Sequence, residues 1–349
     1  MHLIHGGDIY GYAERHGGAL PLDLSANINP FGIPQAVRQA MHDALDHCDR
    51  YPDPLCRALS QAVGEVEQVP PSWLFFGNGA ADVLFRLSAV IKPRKALLTA
   101  PTFAEYEQSL PDCKICYHYL TEAEGFAVTP RILQDIKHGI DAVYLCNPNN
   151  PTGLTLSPTL LREIYGACVS IGAYLVVDEC FNDFLMDAAV HTVKHLLPCY
   201  PKLIILRAFT KMYAIPGVRL GYCMCADPAC IEALRQAGQP WNVSVIAQAC
   251  GVAAVGLQGF AQQTAQRVAE ERGFLVQALR RRRITVFDGQ ANFLLWKAQD
   301  TALHQKLEGK GVLIRDCSNY RGLAPGFYRT AVKQREDSLR FLRALDDIL

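Results

Sequence analysis

The chain has 349 residues, more than one average domain of roughly 100–200, so a large unit with a smaller one beside it is expected. Half of its residues are hydrophobic and 19% are charged, which excludes a disordered or collagen-like chain. Its 34 Lys and Arg balance 34 Asp and Glu, which argues against a nucleic-acid or membrane partner and leaves room only for a small anion held locally.

No run approaches the roughly 20 uncharged apolar residues of a membrane span, and residues 1–6 lack a basic segment followed by an apolar one, so a cytoplasmic protein is expected. Thirteen cysteines, an odd number, read as reduced thiols used as small core residues. Cys113 and Cys116 form a lone CxxC without a second pair at zinc-site spacing, so no metal site is predicted.

In chain order, short apolar runs at 73–76, 96–99, 114–120, 142–146, 173–177, 203–206 and 220–225 alternate with segments of helical period, notably 81–90 and 158–171. That alternation predicts an α/β fold with a mostly parallel sheet covered by helices. Two helical stretches follow, 243–257 and 260–283, the second ending in Arg280, Arg281, Arg282 and Arg283, which suits a helix C-terminus without needing a ligand. Short strands at 284–287, 293–296, 312–315 and 328–332, with helices at 303–308 and 336–349, then predict a small α+β unit.

In open parallel sheets the ligand crevice lies beyond the carboxyl ends of the strands, so the polar residues just after each apolar run carry the chemistry. After the first run come Gly77, Asn78, Gly79, Ala80 and Ala81, small enough for backbone N–H groups at a helix start to hold a phosphate, or simply a tight turn. After 142–146 comes Asn147-Pro148-Asn149-Asn150-Pro151-Thr152-Gly153, a rigid turn offering amide donors and acceptors. Asp178 ends an apolar strand, where it either meets a cation or caps a helix. Lys211 follows 203–206 with Arg219 eight residues on. Taken alone it reads as a surface lysine, but beside another cation its pKa falls and it serves as an amine nucleophile. Together these positions supply an anchored phosphate, a partner for a phenolate, a carboxylate for a pyridine nitrogen and a Schiff-base amine, the requirements of pyridoxal 5′-phosphate.

On NPNNPTG, VVDE, TKMYAIPGVRLGY and FYRTAV the whole chain resembles the fold-type I pyridoxal-phosphate enzymes of the aspartate aminotransferase superfamily. The resemblance implies a homodimer with sites at the subunit interface. It also implies a large cofactor-binding domain at 41–257, with 1–40 and 258–349 forming an N-terminal arm and a small domain. Within the superfamily, His5-Gly6-Gly7, Leu24-Ser25-Ala26-Asn27-Ile28-Asn29-Pro30, Arg50-Tyr51-Pro52-Asp53 and residues 312–320, with Arg329 fourteen after Arg315, are similar to the L-threonine-O-3-phosphate decarboxylases of cobalamin biosynthesis. The histidinol-phosphate aminotransferases share most of these features but usually lack the HGG start and carry tyrosine where this chain has Phe181.

Carried over by position, the resemblance implies that Lys211 forms the Schiff base, Asp178 pairs with the pyridine nitrogen, Asn150 touches the phenolate oxygen and Phe103 stacks on the ring. Gly79, Ala80, Ala81, Thr210, Arg219 and a neighbouring subunit's Tyr51 would hold the cofactor phosphate. Arg329 would bind the substrate carboxylate, with His5, Asn27 and Arg315 on the substrate phosphate. Two departures stand out: Ala208 replaces a hydroxyl residue of the cofactor-phosphate site, leaving Thr210, and Asp8 replaces an asparagine near the substrate-phosphate site. The implied reaction is decarboxylation of O-phospho-L-threonine to (R)-1-aminopropan-2-ol O-phosphate. Transamination of histidinol phosphate, decarboxylation of O-phospho-L-serine and a non-catalytic regulatory module stay open.

Overall fold

All seven apolar runs of the first part of the chain lie in one sheet in the computed structural model, which describes residues 6–349. His5 therefore lies outside the described residues. The strands are β1 (Leu74–Asn78), β2 (Lys95–Ala100), β3 (Lys114–Tyr119), β4 (Ala142–Cys146), β5 (Tyr174–Asp178), β6 (Leu203–Ala208) and β7 (Leu220–Cys225), in the order β1-β7-β6-β5-β4-β2-β3. β7 alone runs antiparallel to its neighbours. Only residues 209–219 separate it from β6, too few for the crossover of a dozen or more that a parallel return needs.

The central strands read as unbroken apolar runs because helices cover both faces. Val143, Leu145, Leu175, Val177, Leu203 and Ile205 point to the side where helix Pro158–Ile171 packs. Tyr144, Val176, Ile204 and Leu206 point to the side of helix Ala80–Ile91, through Val83, Leu84 and Leu87. Each such fully buried Leu, Ile or Val contributes about 1.5–3 kcal/mol.

A second, antiparallel sheet contains β8 (Thr285–Val286), β9 (Phe293–Lys297), β10 (Arg315–Asp316) and β11 (Phe327–Ala331) in the order β10-β11-β9-β8. Its core joins Phe293, Trp296, Tyr328 and Phe341 to Leu22 and Leu24 of the N-terminal segment. The predicted single strand at 312–315 divides: Val312–Leu313 pairs in parallel with Leu22–Asp23, and only Arg315–Asp316 pairs with β11. One run thus serves two sheets.

The expected boundary between residues 40 and 41 falls within helix Gln35–Leu45, which packs along Val245–Val255. The basic run closes helix Gln258–Arg281, and two of its arginines find acids, Arg280 with Asp288 at 2.6 Å and Arg282 with Asp346 at 2.5 Å. Among the described residues no single helix is long and apolar enough to cross a membrane.

Candidate active site

A cavity of about 270 Å³ opens at the carboxyl ends of β4, β5 and β6 and is closed on its other side by the N-terminal segment and by β10 and β11. Its floor is Asp178, buried at the end of β5. The Tyr106 hydroxyl donates to Asp178 Oδ2 at 2.6 Å, and the Cys180 backbone N–H donates to Oδ1 at 2.9 Å. Burial pushes the Tyr106 phenol well above its ordinary value, and the Asp178 charge adds to this, so the tyrosine keeps its proton and donates it to the carboxylate. Burial likewise pushes up the Cys146 and Cys180 thiols lining the cavity, which makes neither a ready thiolate.

Lys211 stands on the short helix Phe209–Met212 that follows β6. Burial pushes its amine below the ordinary lysine value; the neighbouring Cys180 opposes this, and the Arg329 and Arg219 guanidiniums reinforce it. An amine so depressed is a better nucleophile at neutral pH. The N-terminal segment pins this turn: the Asn29 N–H donates to the Lys211 carbonyl at 3.1 Å and its Nδ2 to the Met212 carbonyl at 2.6 Å.

The predicted phosphate cradle has the tightness that small residues imply. Gly79 is the N-cap of the twelve-residue helix Ala80–Ile91 at φ +84°, and a Cβ there would lie 2.5 Å from Arg219 Nη2. A Cβ on Gly221 of β7 would lie 2.3 Å from the Ala80 nitrogen. Ala80, Ala81, Thr210 and Arg219 line the cavity, and the first-turn amides of this helix have no intrahelical acceptor. Ala208 also lines it and brings no hydroxyl, which leaves Thr210.

The three asparagines of the turn after β4 separate in role. Asn147 Oδ1 accepts from the Leu156 N–H at 2.9 Å. Asn149 Nδ2 donates to the Pro101 carbonyl at 3.0 Å and its Oδ1 accepts from Thr102 at 2.9 Å, fixing the loop that presents Phe103. Asn150 faces the cavity, where its Oδ1 accepts from Arg329 Nη1. Arg329, buried on β11, also donates through Nη2 to the Ser25 carbonyl at 2.8 Å, while its Nε has no protein partner. Arg315 is directly opposite Arg329 in the β10–β11 pair. Asn27, buried and lining the cavity, has an unpartnered Oδ1.

Two predicted residues do not line this cavity: Gly79 borders it, and Tyr51 lies outside the lining of its own chain's cavity, 75% exposed and stacked on Trp241 at 4.4 Å; His5 lies outside the described residues. Asp8 is spent as the N-cap of helix Ile9–Arg15, accepting from the Gly11 N–H at 2.9 Å with Arg15 at 3.9 Å, and does not line the cavity. Sequence reasoning missed Tyr106, Asn29 and Tyr320. Asn29 and Tyr320 lay inside quoted segments without a role, whereas nothing in the spacing marked Tyr106.

Beside the floor, Glu179 is fully buried and meets Arg207 at 2.8 Å, Thr192 at 2.8 Å and the Val193 N–H at 2.9 Å; Arg207 also meets Asp183 at 2.9 Å. This pair ties together the ends of the strands that carry Asp178 and lead to Lys211. Arg207→Leu is expected to lower unfolding free energy by about 3–5 kcal/mol, because Glu179 would be left buried without its cation. Urea unfolding of the apoprotein measures this, and a loss under about 1 kcal/mol would contradict it.

The chain belongs to the aminotransferase class I and II family, whose model matches residues 21–345. Within that family it is 38% identical over 333 residues to the threonine-phosphate decarboxylase of Salmonella typhimurium, covering 94% of this chain and 91% of that protein. A putative threonine-phosphate decarboxylase of Caldanaerobacter subterraneus is 34% identical, covering 98% and 92%. An adenosylcobalamin biosynthesis bifunctional protein of Leptospira interrogans is 28% identical over 99% of this chain and 41% of its own length. Among solved structures, the histidinol-phosphate aminotransferase from Clostridium acetobutylicum superposes with a TM-score of 0.87 at 25% identity, covering 93% of this chain and 98% of that one.

Proposed function

We propose that the protein binds pyridoxal 5′-phosphate and decarboxylates O-phospho-L-threonine to (R)-1-aminopropan-2-ol O-phosphate for cobalamin biosynthesis. The observation that carries the reading is Arg329, buried with an unpartnered Nε and set directly across from Arg315, so that two guanidiniums face one cavity with Lys211 and Asp178. A carboxylate and a phosphate on one small amino acid satisfy both forks. Likeness to the Salmonella decarboxylase supports the same substrate, and likeness to the Leptospira protein the same pathway.

The residues fit the cofactor. The Gly79–Gly221 cradle leaves space a Cβ would fill, Asp178 is held at the floor by Tyr106 and the Cys180 N–H, and Lys211 has a depressed amine. Lys211 would hold the aldehyde carbon, Asp178 the pyridine nitrogen, Asn150 the phenolate oxygen and Phe103 the ring face. Gly79, Ala80, Ala81, Thr210 and Arg219 would hold the phosphate. When bound, the group supplies an electron sink for the pair left by a bond broken at Cα.

The chain's own part is orientation. Arg329 would fix the carboxylate and Arg315 with Asn27 the phosphate, which together would hold the Cα–carboxylate bond in the orientation that lets the bound group accept its electron pair. Breaking that bond would release CO2, with its electron pair taken up by the bound group, and Lys211 would supply the proton that Cα gains in place of the carboxylate.

The test is holoprotein with O-phospho-L-threonine and no keto acid. Many equivalents of CO2 per protein are expected; none, with 2-oxoglutarate-dependent conversion of histidinol phosphate instead, would replace the decarboxylase by an aminotransferase. O-phospho-L-serine, lacking one methyl, should be poorer by about 10–200-fold in kcat/KM.

The sheet-bearing part is taken as the cofactor-binding domain, and a homodimer in which Tyr51 reaches the neighbouring site accords with the exposed Tyr51–Trp241 stack. A cytoplasmic location accords with thirteen free cysteines.

A further inference from the structure

Directly opposed residues of an antiparallel pair share one face with Cα atoms about 5 Å apart, and like charges so placed repel. Arg315 and Arg329 are such a pair. Tyr320 stands between their charged ends. The Arg315 guanidinium lies over its ring at 5.5 Å from the centroid, while its hydroxyl lies 3.4 Å from Arg329 Nη1 and 3.5 Å from Asn150 Oδ1. All four side chains line the cavity.

The turn that carries Tyr320 is tied down. The Tyr320 N–H donates to the Cys317 carbonyl at 3.0 Å, the Cys317 N–H to Phe327 of β11 at 2.9 Å, and Asp316 accepts from the Ser318 N–H at 3.0 Å and from its hydroxyl at 2.6 Å. Arg315 Nη2 in turn donates to Asn319 of the same turn at 2.8 Å. One aromatic side chain on a fixed turn therefore touches both cations, by its face on one side and its oxygen on the other.

We propose that Tyr320 is a specificity-determining positioning residue: it sets the separation of the two guanidiniums and so selects an amino acid whose carboxylate and phosphate are spaced as in a 2-amino-3-phosphooxy acid. The ring face holds Arg315 by cation–π attraction, and the hydroxyl holds Arg329 beside Asn150. Longer substrates, with an extra methylene between the anions, cannot fill both forks. This inference rests on the decarboxylase reading of the site.

The experiment compares wild type, Tyr320→Phe and Tyr320→Ala holoenzymes on O-phospho-L-threonine and on the longer O-phospho-L-homoserine, with CO2 as the readout. Tyr320→Ala should raise KM for O-phospho-L-threonine about tenfold or more, with a smaller change in kcat, and should narrow the preference over the longer substrate. Tyr320→Phe keeps the ring under Arg315 and should retain most of that preference. Calorimetric titration of the same proteins with inorganic phosphate should show weaker binding for Tyr320→Ala and near wild-type binding for Tyr320→Phe.

Unchanged KM, preference and phosphate binding in a folded Tyr320→Ala protein would overturn the proposal. So would equal loss in both variants. If Tyr320→Ala does not fold, Tyr320→Leu, which keeps bulk without a π face, is read by the same criteria. A wild type that releases no CO2 would refute the decarboxylase reading instead, and phosphate titration of the variants would still decide whether Tyr320 holds Arg315.

Discussion

Lys211→Ala holoprotein is expected to release CO2 from O-phospho-L-threonine at least about 10⁴-fold more slowly than wild type, since the variant loses both the amine that anchors the cofactor and the acid that reprotonates Cα. Its fold should persist, because the turn is held through the Lys211 and Met212 carbonyls by Asn29 rather than through the lysine side chain. The same substitution has a signature independent of turnover. Burial lowers the folded-state pKa of Lys211, whereas in the unfolded chain the amine titrates near about 10.4. Between those two values the unfolded chain binds more protons, so the apoprotein gains stability as pH rises through that window. Lys211→Ala should flatten this rise in pH-dependent urea unfolding. Retained slope in the variant would mean that Lys211 is not the depressed amine.

Much of this site was legible in the sequence because each strand-end residue sits where backbone periodicity dictates. Asp178 closes an unbroken apolar run, and Lys211 follows another, so an open parallel sheet brings both to one edge. Gly79 was legible for a related reason: only a residue without Cβ tolerates both φ +84° and Arg219 at its back. The missed residues act through contacts that spacing does not encode. Tyr106 reaches Asp178 from a four-residue helix after β2, across a sequence separation of 72. Tyr320 acts through side-chain geometry on a turn whose neighbours are polar. The division of 312–315 between two sheets was equally hidden, because a continuous apolar run carries no mark of where its partner strand changes.

Asp8 was visible in the sequence as a departure near the substrate-phosphate site, but its partners were not: the helix it caps and Arg15 take up its carboxylate. Local backbone demand decided the role of that side chain before any ligand was involved, which is why a charge read from sequence needs its capping context.

Arg329→Leu carries the second large expectation: kcat/KM for O-phospho-L-threonine should fall by about 30- to several-thousand-fold, the equivalent of the roughly 2–5 kcal/mol lost when one partner of a buried charge pair is truncated. Arg329→Lys should recover only part of this, because an ammonium is a point charge and cannot span a carboxylate, Asn150 and the Ser25 carbonyl with one fork. Inorganic phosphate should still bind to Arg329→Leu, since Arg315 keeps Asn319 and the Tyr320 ring as supports. A change in pH dependence should accompany the loss. Arg329 is one of the cations that depress the Lys211 amine, so its removal lets that amine keep its proton to higher pH. The pH window over which the apoprotein gains stability should therefore begin at a higher pH in Arg329→Leu, as read by pH-dependent urea unfolding. A variant with wild-type kcat/KM would remove the carboxylate from Arg329. One with lowered kcat/KM but an unmoved stability window would leave Arg329 on the carboxylate while showing that its charge does not reach Lys211.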